Sequence, residues 1–347
     1  MRSILSNMVL VIRSSAVVRS AACISAGVVA GLVLGACGSD AAGSDPGRPT
    51  IVATTSIWAD ITANVACDGL AAVETIIPLG GDPHSFEPSL RDRETMENAT
   101  LIVANGLMLE ESLDDTIRAV ENDGVTVLRV GDELDPLPFA DRDADDGDDD
   151  GTGDDAGHHA DDGHDHGDRD PHIWFDPGRV SAAVPVIADS LADAGLDRGA
   201  LDACATAFQA ELAQLDGDVE AIVAPLPVEQ RVLVTNHDSL GYFADRYGFE
   251  VLGTVIPSSS SLAETNTADL DELADRIART GVPAIFAETQ HSTGDIEAVA
   301  DRVGDIEVVT LLTGTLGEPG SDAATYLGWL RQNAQTIVDA LTTSGGM

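Results

Sequence analysis

Between Asp197 and Ala224 the apolar residues Leu201, Ala205, Phe208, Leu212, Leu215, Val219 and Ile222 recur at three- and four-residue steps. That is the spacing of one face of an α-helix. Asp197 can cap its start, and Pro225 and Pro227 stop it. At about 1.5 Å per residue such a helix spans roughly 40 Å, which is long for a crossover inside one βα unit. It reads as a rigid spacer, so the chain on its two sides has to fold as two lobes. A length of 347 residues suits that division.

Each flank repeats one pattern. Before the spacer, β-branched runs at 50–54, 72–77, 101–104 and 125–130 predict strands. Helical spacing follows Ser56 (Ile57, Ile61, Val65), follows Ser89 or Asp92, and covers 110–120 and 180–194. After the spacer, strands are predicted at 231–235, 249–256, 284–287 and 307–312, and helices at 240–247, 267–280, 296–303 and 322–341. Strands alternating with helices give mostly parallel sheets covered on both faces. The expected fold class is α/β: two βα lobes, residues 49–196 and 225–347, joined by one long helix at 197–224.

The first 36 residues read as a targeting segment. Arg2, Arg13 and Arg19 give a positive start, and 21–36 is apolar, small and short for a membrane span. It ends Leu34-Gly35-Ala36-Cys37, which looks like a bacterial lipobox in which Cys37 carries the lipid. Residues 37–48 are a flexible tether. The expected location is extracytoplasmic, on the outer face of the cell membrane. Disulfides persist there, and Cys67 and Cys204 remain after Cys23 and Cys37 are set aside. They form either a bridge or two buried thiols.

Charge narrows the partners. The formal net charge is −42, and all 18 basic residues are arginine. So acidic a surface repels nucleic acid and anionic lipid, so no nucleic acid is expected as partner; the chain is expected to be a monomer. Aromatic residues at 4% offer little platform for sugars or bases. Much of the acid lies in a loop at 141–169, where Asp, Gly and His leave almost nothing to bury. Its His158, His159, His164 and His166 among carboxylates suit a loose trap for divalent metal.

Three further histidines stand apart. His84 lies in Asp82-Pro83-His84-Ser85-Phe86-Glu87-Pro88, His172 in Asp170-Pro171-His172-Ile173-Trp174-Phe175-Asp176-Pro177, and His237 in Asn236-His237-Asp238-Ser239. Flanking prolines stiffen the first two segments. All three read as tight loops after strands, where open parallel sheets bind ligands. If the lobes face each other, the three imidazoles converge on one cleft, and imidazole suits zinc and several other transition ions.

These three motifs, in this order and after a lipobox, resemble the zinc/manganese solute-binding proteins of ABC metal transporters, the zinc-uptake type, from about residue 49 to 345. The resemblance implies metal bound between two lobes, with His84, His172 and His237 as ligands. It implies delivery to an ABC permease. The His/Asp-rich loop resembles that of zinc-specific members. The family's late acidic ligand falls here at Gly314, in Leu312-Thr313-Gly314-Thr315-Leu316-Gly317-Glu318. Water, a residue of the acidic loop, Glu288 or Glu318 is left to fill the fourth place. Glu288 and His291 read rather as outer or surface residues, and Asp176 and Asp238 as orienters of the rings.

A donor set poor in carboxylate favours Zn²⁺ over Mn²⁺ or Fe²⁺. The expected function is capture of Zn²⁺ for uptake. Alternatives are a manganese or iron carrier, a surface metal buffer or adhesin, and a zinc hydrolase. The hydrolase reading lacks a base, since no His-Glu-x-x-His segment or nucleophile elbow occurs.

Overall fold

The structure is a computed structural model that describes residues 48–139, 169–256, 260–262, 267–290, 293–304 and 306–342. The targeting segment, Cys37, the tether to residue 47, the acidic loop with its four histidines, and His291 lie outside the described residues.

Two four-stranded sheets sit in one compact body. The first contains β1 (Thr50–Ala53), β2 (Ala72–Thr75), β3 (Leu101–Ala104) and β4 (Val127–Arg129) in the order β2-β1-β3-β4. The second contains β5 (Val232–His237), β6 (Glu250–Ile256), β7 (Ala284–Glu288) and β8 (Glu307–Leu311) in the order β6-β5-β7-β8. Every pairing is parallel. The inner strand β3 is buried throughout and β1 nearly so, as fits continuous apolar runs covered on both faces. In each sheet the chain leaves one inner strand to the left and the other to the right. That makes a crevice at the carboxyl ends of the two inner strands.

The helices are α1 (Ser56–Leu70), α2 (Leu90–Glu97), α3 (Asp114–Asn122), α4 (Pro177–Asp193), α5 (Arg198–Val223), α6 (Gly241–Tyr247), α7 (Thr267–Thr280), α8 (Gly294–Val303) and α9 (Tyr326–Thr342). The predicted spacer is α5, capped by the Asp197 side chain on Ala200 N at 2.8 Å. It does not cross open space. Its apolar face packs on α1 and α4 from the first half and on α9 from the second. Among the described residues no helix is long and apolar enough to cross a membrane.

Three boundaries differ from the sequence reading for identifiable reasons. Thr55, not Ser56, caps α1, and this leaves Ser56 Oγ to accept from Leu316 N at 3.0 Å, across to the second half. The helix predicted at 110–120 starts only at Asp114, because the Glu110 side chain turns back onto Asn105 and Gly106. The last helix starts at Tyr326 rather than 322, where Tyr326 N donates to Asp60 Oδ2 at 2.9 Å.

The structure joins Cys67 of α1 to Cys204 of α5 as a disulfide, with Cα atoms 5.9 Å apart and a sequence separation of 137. In the chain-entropy account a closed loop that long is worth about 5 kcal/mol against the unfolded chain. The bridge fixes the first sheet's covering helix to the helix both halves share.

Candidate metal centre

The same tripeptide builds two corners of the site. In Asp82-Pro83-His84 the Asp82 Oδ1 accepts from His84 N at 3.1 Å. In Asp170-Pro171-His172 the Asp170 Oδ1 accepts from His172 N at 2.9 Å. Each is an aspartate turn closed over a proline, which fixes where the following imidazole points. His237 arrives differently, as the last residue of β5 at the crevice of the second sheet. His172 departs from the expectation that all three follow strands. It comes after an isolated bridge between Pro138 and Arg169 and opens a short 3₁₀ turn.

The three rings converge. Their centroids are 5.6 Å apart for His84–His172, 5.6 Å for His84–His237 and 5.1 Å for His172–His237. One nitrogen from each lies within 4.8 Å of the others. His172 Nε2 and His237 Nε2 are 3.2 Å apart. Two nitrogens on a tetrahedral ion at about 2.0–2.1 Å would be separated by roughly 3.3 Å. All three rings are buried, and His84 Nε2 has no hydrogen-bond partner among the described residues. An orphaned buried nitrogen is costly unless something binds it.

Between the rings lies a cavity with about 10 Å³ of room, lined also by Asp82, Trp174, Glu288, Gln290, Thr313 and Gly314. That is about the space of one water-sized particle, which admits a single ion and no organic ligand. Gly314 faces it closely: a Cβ there would come 3.1 Å from Pro83 Cδ and 3.2 Å from Gln290 Nε2. The loop after β8 closes the wall from the second half. Its Thr313 carbonyl accepts from Trp174 Nε1 at 2.9 Å, and its Thr315 Oγ1 accepts from Gly80 N at 3.1 Å.

Each ring carries a carboxylate on its far nitrogen. Asp170 Oδ1 lies 2.8 Å from His172 Nδ1, Glu288 Oε1 2.7 Å from His237 Nδ1, and Glu111 Oε1 3.6 Å from His84 Nδ1. At His172 and His237 the carboxylate holds the proton on Nδ1 and turns Nε2 toward the cluster, whereas Glu111 lies beyond hydrogen-bond distance of His84. Glu288 is itself held by Ser239 Oγ at 3.2 Å and by the Thr313 hydroxyl. Burial, reinforced by the neighbouring histidines, holds the His172 pKa well below its ordinary value. At His237 burial opposes charge, but the Glu288 carboxylate beside it, with Asp82 and Asp238, carries the pKa above the ordinary value.

Other sequence candidates fall elsewhere. Asp176 touches none of the rings: it caps α4 on Gly178 N at 2.7 Å and pairs with Arg179 and Arg246. Its place just before a proline-started helix is that of a cap. Glu318 is exposed and does not line the cavity. Glu288 is at the cavity wall, but its carboxylate is not part of the three-nitrogen cluster. Asp170 and Glu111 escaped the sequence reading as ring partners. The repeated Asp-Pro-His was a signal for Asp170; nothing local marked Glu111.

A family profile described as "Zinc-uptake complex component A periplasmic" matches residues 51–340. The zinc-binding protein TroA of Treponema pallidum is 32% identical over 311 residues, covering 88% of this chain and 92% of that one. A manganese-binding lipoprotein, MntA, of Halalkalibacterium halodurans is 29% identical over 319 residues, covering 91% and 96%. Among solved structures, the periplasmic zinc-binding protein TroA superposes with a TM-score of 0.72 at 31% identity, over 85% of this chain and 99% of that one.

Proposed function

The chain belongs to the family of the periplasmic A component of zinc-uptake complexes, and on that footing we propose that it captures Zn²⁺ through His84, His172 and His237 and passes it to an ABC permease. It is a metal-binding, extracytoplasmic solute-binding component of an ABC transporter and not an enzyme. The metal is its cargo, so nothing reacts; the residues only bind, orient and release.

One observation carries the reading: three buried imidazoles around a cavity one ion wide, with two Nε2 atoms 3.2 Å apart and, among the described residues, no carboxylate oxygen in the cluster. Three nitrogens and an open fourth position suit zinc, whereas manganese prefers oxygen donors. Relatives are named for either metal, which makes the donor set the argument for this chain. The lobes are 49–196 and 225–347 with α5 between them. Cys37 carries the lipid that keeps the protein at the membrane, and the acidic loop gathers zinc nearby.

The test is metal content of protein purified without added metal, then competition between Zn²⁺ and Mn²⁺. One tightly held Zn²⁺ per chain is expected, lost in His172→Ala. Tight binding in His172→Ala, or a preference for Mn²⁺, overturns the assignment.

A further inference from the structure

The first sheet has the same strand order as the second, yet among the described residues its crevice holds no histidine. It is filled from within. Glu110, 3% exposed, sends its carboxylate between the ends of β1 and β3. It accepts from Thr54 Oγ1 at 2.6 Å, Asn105 N at 2.7 Å and Gly106 N at 3.2 Å. Burial raises its pKa above the ordinary carboxylate value, and these donors offset that only in part. The turn it closes is strained: Gly106, Leu107 and Met108 have φ of +77°, +54° and +61°. Left-handed backbone costs roughly 1 kcal/mol or more at each of the two residues with a Cβ. The helical spacing at 110–120 offered a cheaper course, an earlier start to α3.

What the strained turn achieves is contact with both histidine segments of the first half. The Asn105 amide donates to Pro171 O at 3.0 Å, next to His172, while its oxygen is fixed by Trp58 Nε1 at 2.8 Å. At the turn's other end Ser112 N donates to His84 O at 3.2 Å, and Glu111 sits on the His84 ring. Strain kept where a local alternative exists points to function.

We propose that Glu110 and Asn105 are positioning residues: the buried Glu110 carboxylate clamps the 105–112 turn so that His84 and His172 stand at a fixed separation before metal arrives. The proposal rests on the three-histidine reading above. The clamp touches no ion. It removes the ordering that two independent loops would otherwise undergo on binding.

The test uses Asn105→Ala, which cuts the link to Pro171 and spares the clamp, and Glu110→Gln, whose amide must face Gly106 N or the Thr54 and Asn105 donors. Leu212→Ala in α5 is the control for lost stability far from the site. Zn²⁺ affinity is measured well below each variant's melting temperature, with histidine ring spectra of the metal-free protein by NMR. We expect affinity at least tenfold weaker in Asn105→Ala and Glu110→Gln and unchanged in Leu212→Ala. The resonances of His84 and His172, but not His237, should broaden. If either folded variant binds within twofold of wild type, or if Leu212→Ala loses as much, the clamp is merely structural and the proposal fails. If His172→Ala also binds like wild type, the fault lies with the three-histidine reading instead. Should Glu110→Gln not fold, Asn105→Ala decides alone.

Discussion

Replacing Glu288 with Gln isolates the charge behind one imidazole. Glu288 Oε1 faces His237 Nδ1 at 2.7 Å, and a hydrogen bond to a charged acceptor contributes roughly 1.5–3 kcal/mol, about twice a neutral one. The amide oxygen can keep the neutral part, and the Thr313 hydroxyl on the other side can turn to accept from the new NH₂. About 1–1.5 kcal/mol of ring basicity is then lost, close to tenfold in affinity at 1.36 kcal/mol per decade. This is the low end of the tenfold to hundredfold cost usual for outer partners of metal ligands. The assay is competition with a chromophoric chelator at pH 8 and at pH 6, with thermal melting of the metal-free form. The deficit should be near tenfold at pH 8 and smaller at pH 6. Glu288 raises the His237 pKa, so only wild type then has a tightly held proton to displace. Equal affinities at pH 8, with the variant folded, would refute the claim that the carboxylate acts through the ring.

Three further outcomes follow from the site. Because the raised pKa of His237 lies above the ordinary ~6.5, zinc affinity should begin to fall before pH 6.5 is reached as the solution is acidified; calorimetry in buffers of different ionisation heat should show proton release near neutrality, and an onset only below pH 6 would contradict this. The depressed His172 acts on the metal-free fold: between its folded pKa and ~6.5 the unfolded chain binds the extra proton, so its part of stability is complete above ~6.5 and is lost as pH falls through that window. Gly314→Asp adds an oxygen donor at the cavity wall, at the cost of pushing Pro83 and Gln290 by a few tenths of an ångström. The ratio of Mn²⁺ to Zn²⁺ affinity should rise at least tenfold in paired titrations, and an unmoved ratio would separate metal preference from the donor set.

The parts of this fold legible in sequence are those where one periodicity dominates. The α5 pattern and the buried strand runs left few alternatives, and both halves came out as parallel sheets. Asp-Pro-His twice in one chain made two histidines of the cluster visible, since a turn so specified has to present something. What stayed hidden involved contacts between residues far apart in sequence. Glu111 reaches His84 across 27 positions, and Trp174 reaches Thr313 across 139. Periodicity is silent about such pairs. Glu110 was misread as helical because nothing nearby says that its carboxylate satisfies amides of the preceding turn. Asp176 was misread in the opposite sense: a cap and an acid beside a metal motif look alike until the helix is seen to start there.

The two sheets share a topology but use it unequally, and this asymmetry bears on what the site requires. In the second sheet the crevice between β5 and β7 opens directly on the cluster: His237 ends one strand, Glu288 ends the other, and the acid backs the ring. In the first, the matching crevice is plugged by Glu110, and the two histidines hang from loops tied to that plug. Neither half can therefore supply more than two of the three imidazoles. With no carboxylate oxygen in the cluster among the described residues, two neutral rings alone would leave a divalent ion short of the three protein ligands that open zinc sites use. A complete site exists only while both halves are held against the helix they share, as the packing of α1, α4 and α9 on α5 and the Cys67–Cys204 bridge do. Metal capture is thus a property of the joined lobes rather than of either one.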